Sequence, residues 1–295
     1  MQYRAESLGL VGQVTTILRE LIHERLGLFY DASQFDQVAD RLAPLVLARG
    51  LGSFMDYYYL LKYSNEPDEW DRVMDALAVQ ETYFWREIDQ IKAVVDHVVP
   101  SLARRHADRP LTIWSVPCAT GEEPLTVAMV LDESGWFDRM PIEIIGSDAS
   151  RMAIAKATRG QYGSRSFRNL PPGLREKYFT QYERQWTVEP ELHRRVTYDV
   201  VNLVAADDVA RHASAPVVFC RNVFIYFSEQ SIRRAVEAFA RSMPDVSYLC
   251  LGVSESLLRL NTDFELQDIG GTFMYAKKRI ERPSVTAPAL ESERL

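Results

Sequence analysis

Glu122 and Glu123 follow directly on the turn Ala119-Thr120-Gly121, which ends the apolar run 111–118 and opens into apolar residues at helical spacing. The order predicted is strand, turn, helix. Such a junction sets the unpaired N–H groups of a helix N-terminus at the carboxyl end of a strand, where open α/β sheets hold nucleotide-like ligands. The phosphate loop G-x-x-x-x-G-K-[ST] is absent, and two carboxylates occupy the place where such a loop avoids negative charge. The chemistry favoured is recognition of a cationic or hydroxyl-rich ligand rather than a polyphosphate.

Other residues at predicted strand ends suit the same ligand. Asp148 follows the run IEIIGS, where a carboxylate offers paired acceptors to the two hydroxyls of a ribose; it is equally suited to capping the helix that starts nearby. Asn202-Leu203 ends a third segment. Arg221-Asn222 follows the buried-looking run APVVFC and precedes Ile225-Tyr226-Phe227; the pair reads either as ligand contacts or as solvated turn residues. Upstream, residues 80–87 spell QETYFWRE. Aromatics beside Arg86 can wall a pocket that stacks on a planar ring and orients an anion, or can simply start a packed helix.

The elements that must position these groups fall into two kinds. Residues 8–78 carry apolar positions at three- and four-residue steps with no strand-like alternation, so this part is expected to be all helical, with Ser33 and Asp68 as N-caps. A further helix is expected over 88–105, and the boundary is put between about 95 and 110, giving an N-terminal helical domain over 1–100. From there to 280, strands at 111–117, 142–147, 215–220 and 247–253 alternate with helices at 121–133, 150–158 and 228–242. That is the pattern of an α/β, doubly wound, Rossmann-like sheet, and Gly270-Gly271 marks an antiparallel hairpin at its edge. Between Tyr162 and Asn202 the alternation breaks into short β segments, and residues 181–201 are assigned to a small β-subdomain. The Pro-, Ser- and Glu-rich residues 281–295 are expected to be disordered.

Composition narrows the class. With 47% hydrophobic and 25% charged residues the chain is soluble and globular, and no apolar run approaches the ~20 residues of a membrane helix, so a cytoplasmic protein is expected with no membrane insertion. A net charge of -7 argues against a broad nucleic-acid-binding face. Cys118, Cys220 and Cys250 read as reduced core thiols, and the five histidines lack ligand spacing, so no metal is predicted.

The segments ETYFWRE, SVPCATGEEPLTVAM, SDAS with AIAKATRGQY, VVNL, CRNVFIYF and GVSESL stand in the order and spacing of the CheR-type chemotaxis receptor methyltransferases, and the chain resembles that family over roughly residues 10–278. The resemblance implies a helical N-terminal domain, a class I S-adenosylmethionine-dependent methyltransferase domain and a β-subdomain that meets the receptor. It implies methyl transfer to glutamate side chains of the cytoplasmic domain of a chemoreceptor, with S-adenosylhomocysteine as product; a monomer is expected separately. Carried over by position, the cofactor contacts are Gln80, Thr82, Arg86, Glu123, Asp148, Asn202, Leu203, Arg221 and Asn222, with Arg86 and Tyr226 nearest the transferred methyl group. Departures include Gln80 for the usual asparagine, Ser150 for a second acidic residue and Val253 for a histidine. The second helix, basic in the family, offers here chiefly Arg41 and Arg49. Two alternatives stay open: a methyltransferase of the same build acting on another protein or a small acid, and a non-catalytic cofactor-binding sensor.

Overall fold

A computed structural model describes residues 8–9, 11–64, 66–105, 109–260 and 262–278. The expected disorder of 281–295 lies outside them. Four helices come first: α1 (Gly12–Leu26), α2 (Phe35–Ala48), α3 (Phe54–Tyr63) and α4 (Pro67–Leu77). Their apolar stripes, including Leu18, Ile22, Phe35, Leu42, Phe54 and Leu77, close into one core. Ser53 caps α3 through its side chain. Ser33 does not cap α2; the Asp31 carboxylate instead accepts from the Ser33 and Gln34 N–H groups. Asp68 lies inside the first turn of α4, because Pro67 supplies the fixed φ that begins the helix.

The predicted helix over 88–105 is present as α5 (Ile88–Ala93), a π turn (Val94–Val98) and α6 (Val99–Ala103). Its apolar side chains pack with Leu111, Ile113 and Leu125 rather than with the four-helix core. The break in packing therefore falls between Leu77 and Phe84, earlier than the expected 95–110.

There follow β1 (Leu111–Ser115), α7 (Glu122–Glu133), β2 (Ile142–Asp148), α8 (Arg151–Arg159), β3 (Gln161–Gly163), α9 (Pro172–Tyr178), β4 (Phe179–Tyr182), β5 (Gln185–Val188), α10 (Pro190–His193), β6 (Val196–Val200), α11 (Ala206–His212), β7 (Val217–Phe219), α12 (Glu229–Ser242), β8 (Tyr248–Cys250), β9 (Phe264–Ile269) and β10 (Thr272–Lys277). The main sheet has the order β6-β2-β1-β7-β8-β10-β9. Its first five strands are parallel, and the β9–β10 hairpin closes one edge antiparallel, as the sequence led us to expect. Alternate residues of β7 serve opposite layers: Val217 and Phe219 face the α5–α7 side, Val218 and Cys220 the α11–α12 side. Burial on both faces explains the unbroken apolar runs.

One assignment is corrected. The small antiparallel sheet is β3-β5-β4, so the excursion runs from Gln161 to Val188, and β6 pairs in parallel with β2 as an edge strand of the main sheet. Polar Thr197 and Asp199 in β6 look like part of an exposed ribbon because an edge strand wets one side. Cys118, Cys220 and Cys250 are buried and free. Among the described residues no helix is long and apolar enough to cross a membrane.

Candidate active site

Strand order reverses on either side of β1, and at that switch point the carboxyl ends of β1, β2 and β7 open into a cleft. It has two adjoining compartments. The inner, about 50 Å³, is lined by Thr82, Arg86, Glu123, Asp148, Arg221 and Asn222 among others. The outer, about 390 Å³, reaches Gln80, Asn202, Leu203 and Tyr226 and is walled on its far side by Tyr30, Gln34 and Arg41 of the helical domain. Pro117, Asp148 and Asn222 border both. Every site residue expected from the sequence thus lines one cleft, with Arg86 in the inner compartment and Tyr226 in the outer.

The two domains meet closely at this place. Gly27 ends α1 at φ 76, and a Cβ there would stand 2.5 Å from Val204 and 3.1 Å from the Phe227 ring, so only glycine permits the approach. The Phe29 N–H donates to the Tyr226 carbonyl at 2.8 Å, and Leu28 bridges to Phe227. The helical domain thereby fixes the backbone that carries Tyr226.

Asp148 is 8% exposed. Its two oxygens each accept one backbone N–H, from Ala119 at 3.0 Å and Ser150 at 2.8 Å, which leaves acceptor positions open on both. Capping of α8 is done by Ser150, whose hydroxyl accepts from the Ala153 N–H. Burial nevertheless outweighs those bonds and pushes the Asp148 carboxyl up to about 6. The Glu123 carboxylate accepts from the Ser115 hydroxyl at 2.7 Å and lies 3.5 Å from Arg221 Nη1; burial raises its pKa, with the Arg221 charge acting against the shift. Glu122 is turned away. Its buried carboxylate accepts from Thr120 and Ser166, tying the turn to the small-sheet insertion.

Arg221 has 1% of its side chain exposed, donates to the Arg86 carbonyl at 2.9 Å and lies 3.1 Å from the Glu87 carboxylate. Its Nε and Nη1 have no hydrogen-bond partner. Buried guanidinium donors at the wall of a cleft call for an anionic or carbonyl oxygen, since leaving them unmade is costly. Arg221 is therefore not a solvated turn residue. The 80–87 stretch is not a helix start either. Phe84 is fully buried against Tyr162, Phe167 and Phe179, while Thr82 and Arg86 reach the cleft.

Two expected contacts are already engaged by the protein. Gln80 accepts from Lys156 at 2.8 Å and donates to Ser150 at 3.4 Å. Asn202 donates to the Arg25 carbonyl and accepts from the Val204 N–H, joining α1 to the edge of β6. Both border the outer compartment through what their amides leave free.

Sequence reasoning missed two carboxylates. Glu255 accepts four backbone N–H groups, from Asn222, Val223, Phe224 and Gly252, at 2.7 to 2.8 Å. Glu87 accepts from the Val253 N–H and approaches Arg221. The available signal was position, a glutamate just past an apolar strand in GVSE and another closing QETYFWRE. Trp85, Glu87, Ala119 and Asn222 all have φ between 47 and 69, although none is glycine. Such backbone persists only where its surroundings over-determine it. Here Thr126, Asp148 and Glu255 hold the N–H groups of Trp85, Ala119 and Asn222.

A switch-point cleft with a ribose-suited carboxylate at the end of the second strand and no phosphate loop defines a Rossmann-like domain built for a nucleoside-type ligand rather than a polyphosphate. The chain belongs to the CheR methyltransferase family: residues 80–271 match its S-adenosylmethionine-binding domain and residues 16–78 its all-α domain. It is 32% identical to chemotaxis protein methyltransferase 2 of Vibrio cholerae, over 84% of this chain and 87% of that protein. Identity to the chemotaxis protein methyltransferase of Escherichia coli is 28%, over 88% of each. A probable biofilm formation methyltransferase of Pseudomonas putida, WspC, is 29% identical over 92% of this chain, which spans 64% of its length.

Proposed function

We propose that this protein is a cytoplasmic protein-glutamate O-methyltransferase that converts glutamate side chains of a chemoreceptor's cytoplasmic domain to methyl esters. The observation that carries the reading is the pairing, in one cleft, of Arg221's unpartnered buried donors with the open acceptors of Asp148, beside the half-exposed cation Arg86. S-adenosylmethionine supplies, when bound, a methyl group on a sulfonium. Asp148 would take the ribose hydroxyls, and Arg221 the carboxylate at the methionine end. Glu123 would take the ammonium, while Gln80, Asn202 and Leu203 would border the adenine. Thr82 and Asn222 complete the walls.

The acceptor needs no general base, because a glutamate with pKa near ~4.3 is already ionised at neutral pH. One carboxylate oxygen supplies the electron pair of the new C–O bond as the C–S bond breaks, and no proton moves. Arg86 and Tyr226 would orient the carboxylate, a positioning effect that in well-aligned systems is worth on the order of 7 kcal/mol or more. Wild-type protein incubated with radiolabelled methyl donor and receptor fragments should give base-labile label on the receptor. Arg86→Ala and Tyr226→Phe should slow the single turnover, and unchanged rates in both would overturn these roles.

A further inference from the structure

The chain is acidic overall, yet from Arg151 to Arg195 it carries ten Lys and Arg against four Asp and Glu. Part of this positive charge converges on the cleft mouth. Glu81, 66% exposed in its side chain, accepts from Arg168 Nη2 at 2.8 Å. The same Arg168 guanidinium lies 3.7 Å from the centre of the Tyr83 ring, and Arg86 stands over that ring at 5.6 Å. The Phe84 N–H donates to the Ser166 carbonyl at 2.8 Å, which locks the 164–168 turn against the 80–87 stretch. Arg165, on that turn, is exposed and has no ion-pair partner among the described residues. Arg168, Arg165 and Arg86 all draw the Glu81 carboxyl below its ordinary range, the Arg168 hydrogen bond most strongly.

The arginines of α2 are placed differently. Arg49 is tied to Glu66 and to Glu69, whose other oxygen accepts from the buried Tyr57 hydroxyl. Arg41 turns to the Leu77 carbonyl inside the outer compartment. Neither presents a free cation to a partner's surface at the inner compartment.

We infer that Arg165, Arg168 and Tyr83 form the acceptor-docking rim of the cleft, which seats an acidic protein segment by letting one of its carboxylates displace Glu81 from Arg168. The inference rests on the protein-glutamate methyl transfer proposed above and names the surface of this chain on which its acceptor docks. Glu81 acts as an internal stand-in for the partner's carboxylate. An exposed ion pair is held weakly in water, so exchanging one carboxylate for another at Arg168 opposes docking little. The reacting glutamate is then delivered beside Arg86, which shares the Tyr83 ring with Arg168.

The test is steady-state methyl transfer to a purified receptor cytoplasmic fragment at low and high salt, using full-length wild type, the double variant Arg165→Ala/Arg168→Ala, and Glu81→Gln. Removing rim charges should raise the acceptor KM about tenfold and flatten its salt dependence, with kcat and cofactor Kd essentially unchanged. Glu81→Gln, which removes the competitor, should lower the acceptor KM about two- to threefold. A merely structural role for the pair predicts instead that both variants lose thermal stability and kcat together. If wild type labels the receptor but the double variant keeps its KM, the inference is overturned while the proposed function stands. If wild type labels no receptor fragment, both fall.

Discussion

Replacing Asp148 by asparagine should separate stability from cofactor binding. In the folded chain burial lifts this carboxyl from 3.8 to about 6. At 1.36 kcal/mol per unit, holding it ionised at neutral pH costs about 3 kcal/mol relative to the unfolded chain. The folded state binds the extra proton between those two values. That contribution to stability is therefore greatest below pH 3.8 and is lost as pH rises to about 6. Asparagine removes the charge but turns an amide NH₂ toward either the Ala119 or the Ser150 N–H, a mismatch worth about 1–3 kcal/mol. The two effects oppose, so the unliganded variant should unfold within about 2 kcal/mol of wild type at pH 7.5. Binding should not be spared. Hydrogen bonds to a charged acceptor contribute about 1.5–3 kcal/mol each, so loss of one ribose contact should weaken S-adenosylmethionine about 10- to 100-fold. Calorimetric titration from pH 5 to 8 provides a second signature: wild-type affinity should fall up to about tenfold per pH unit below 6, while the variant's should be comparatively flat. A variant that binds as tightly as wild type, together with a flat wild-type profile, would refute the assignment of Asp148 to the ribose.

Two further substitutions probe the frame around the cleft. Glu255→Gln places an amide against two backbone N–H donors that now share one carboxylate oxygen; denaturant unfolding should report a loss of about 2–4 kcal/mol, with weaker cofactor binding because the loop carrying Asn222 and Tyr226 loosens. Phe84→Ala empties a fully buried site whose ring lies 4.8 to 5.2 Å from Tyr162, Phe179 and Phe167; thermal unfolding should register about 3–5 kcal/mol of destabilisation.

What could be read from the sequence followed from periodicity. The strands at β1, β2, β7 and β8 are apolar on both faces and bounded by turns, and α12 shows one apolar stripe, so both kinds of element stand out from single-chain patterning. Which core an element joins is a different matter. The helix from Ile88 has the same spacing as α1 to α4, and only its contacts with Leu111 and Leu125 assign it to the sheet domain. The edge strand β6 carries Thr197 and Asp199, a pattern shared with the neighbouring small sheet, so its membership was misread. Within the site, carboxylates facing a ligand and carboxylates bracing a loop look alike in sequence. Asp148 keeps free acceptors, whereas Glu255 is filled by four N–H groups, and no residue type distinguishes them.

The charge balance inside the cleft bears on the proposed transfer from a sulfonium to a carboxylate. A positive and a negative charge are both lost as the new bond forms, so a site dominated by either sign would hold one reactant too tightly before the transition state. Arg221 lies 3.1 Å from Glu87 and 3.5 Å from Glu123, and Arg86 lies 3.8 Å from Glu87. Arg86 and Arg221 thus face Glu87, Glu123 and Asp148, an excess of one negative charge, so neither sign dominates strongly. The fixed dipoles that remain, with the strained backbone at Trp85, Ala119 and Asn222, are held by hydrogen bonds made before any ligand arrives. Orientation can then be supplied without deep electrostatic stabilisation of the reactants, the balance that a charge-annihilating displacement requires. With Arg165 unpaired at the rim among the described residues and Arg168 paired with the exposed Glu81, the docking inferred above would attract an acidic acceptor from outside the reacting centre without trapping the glutamate proposed to react.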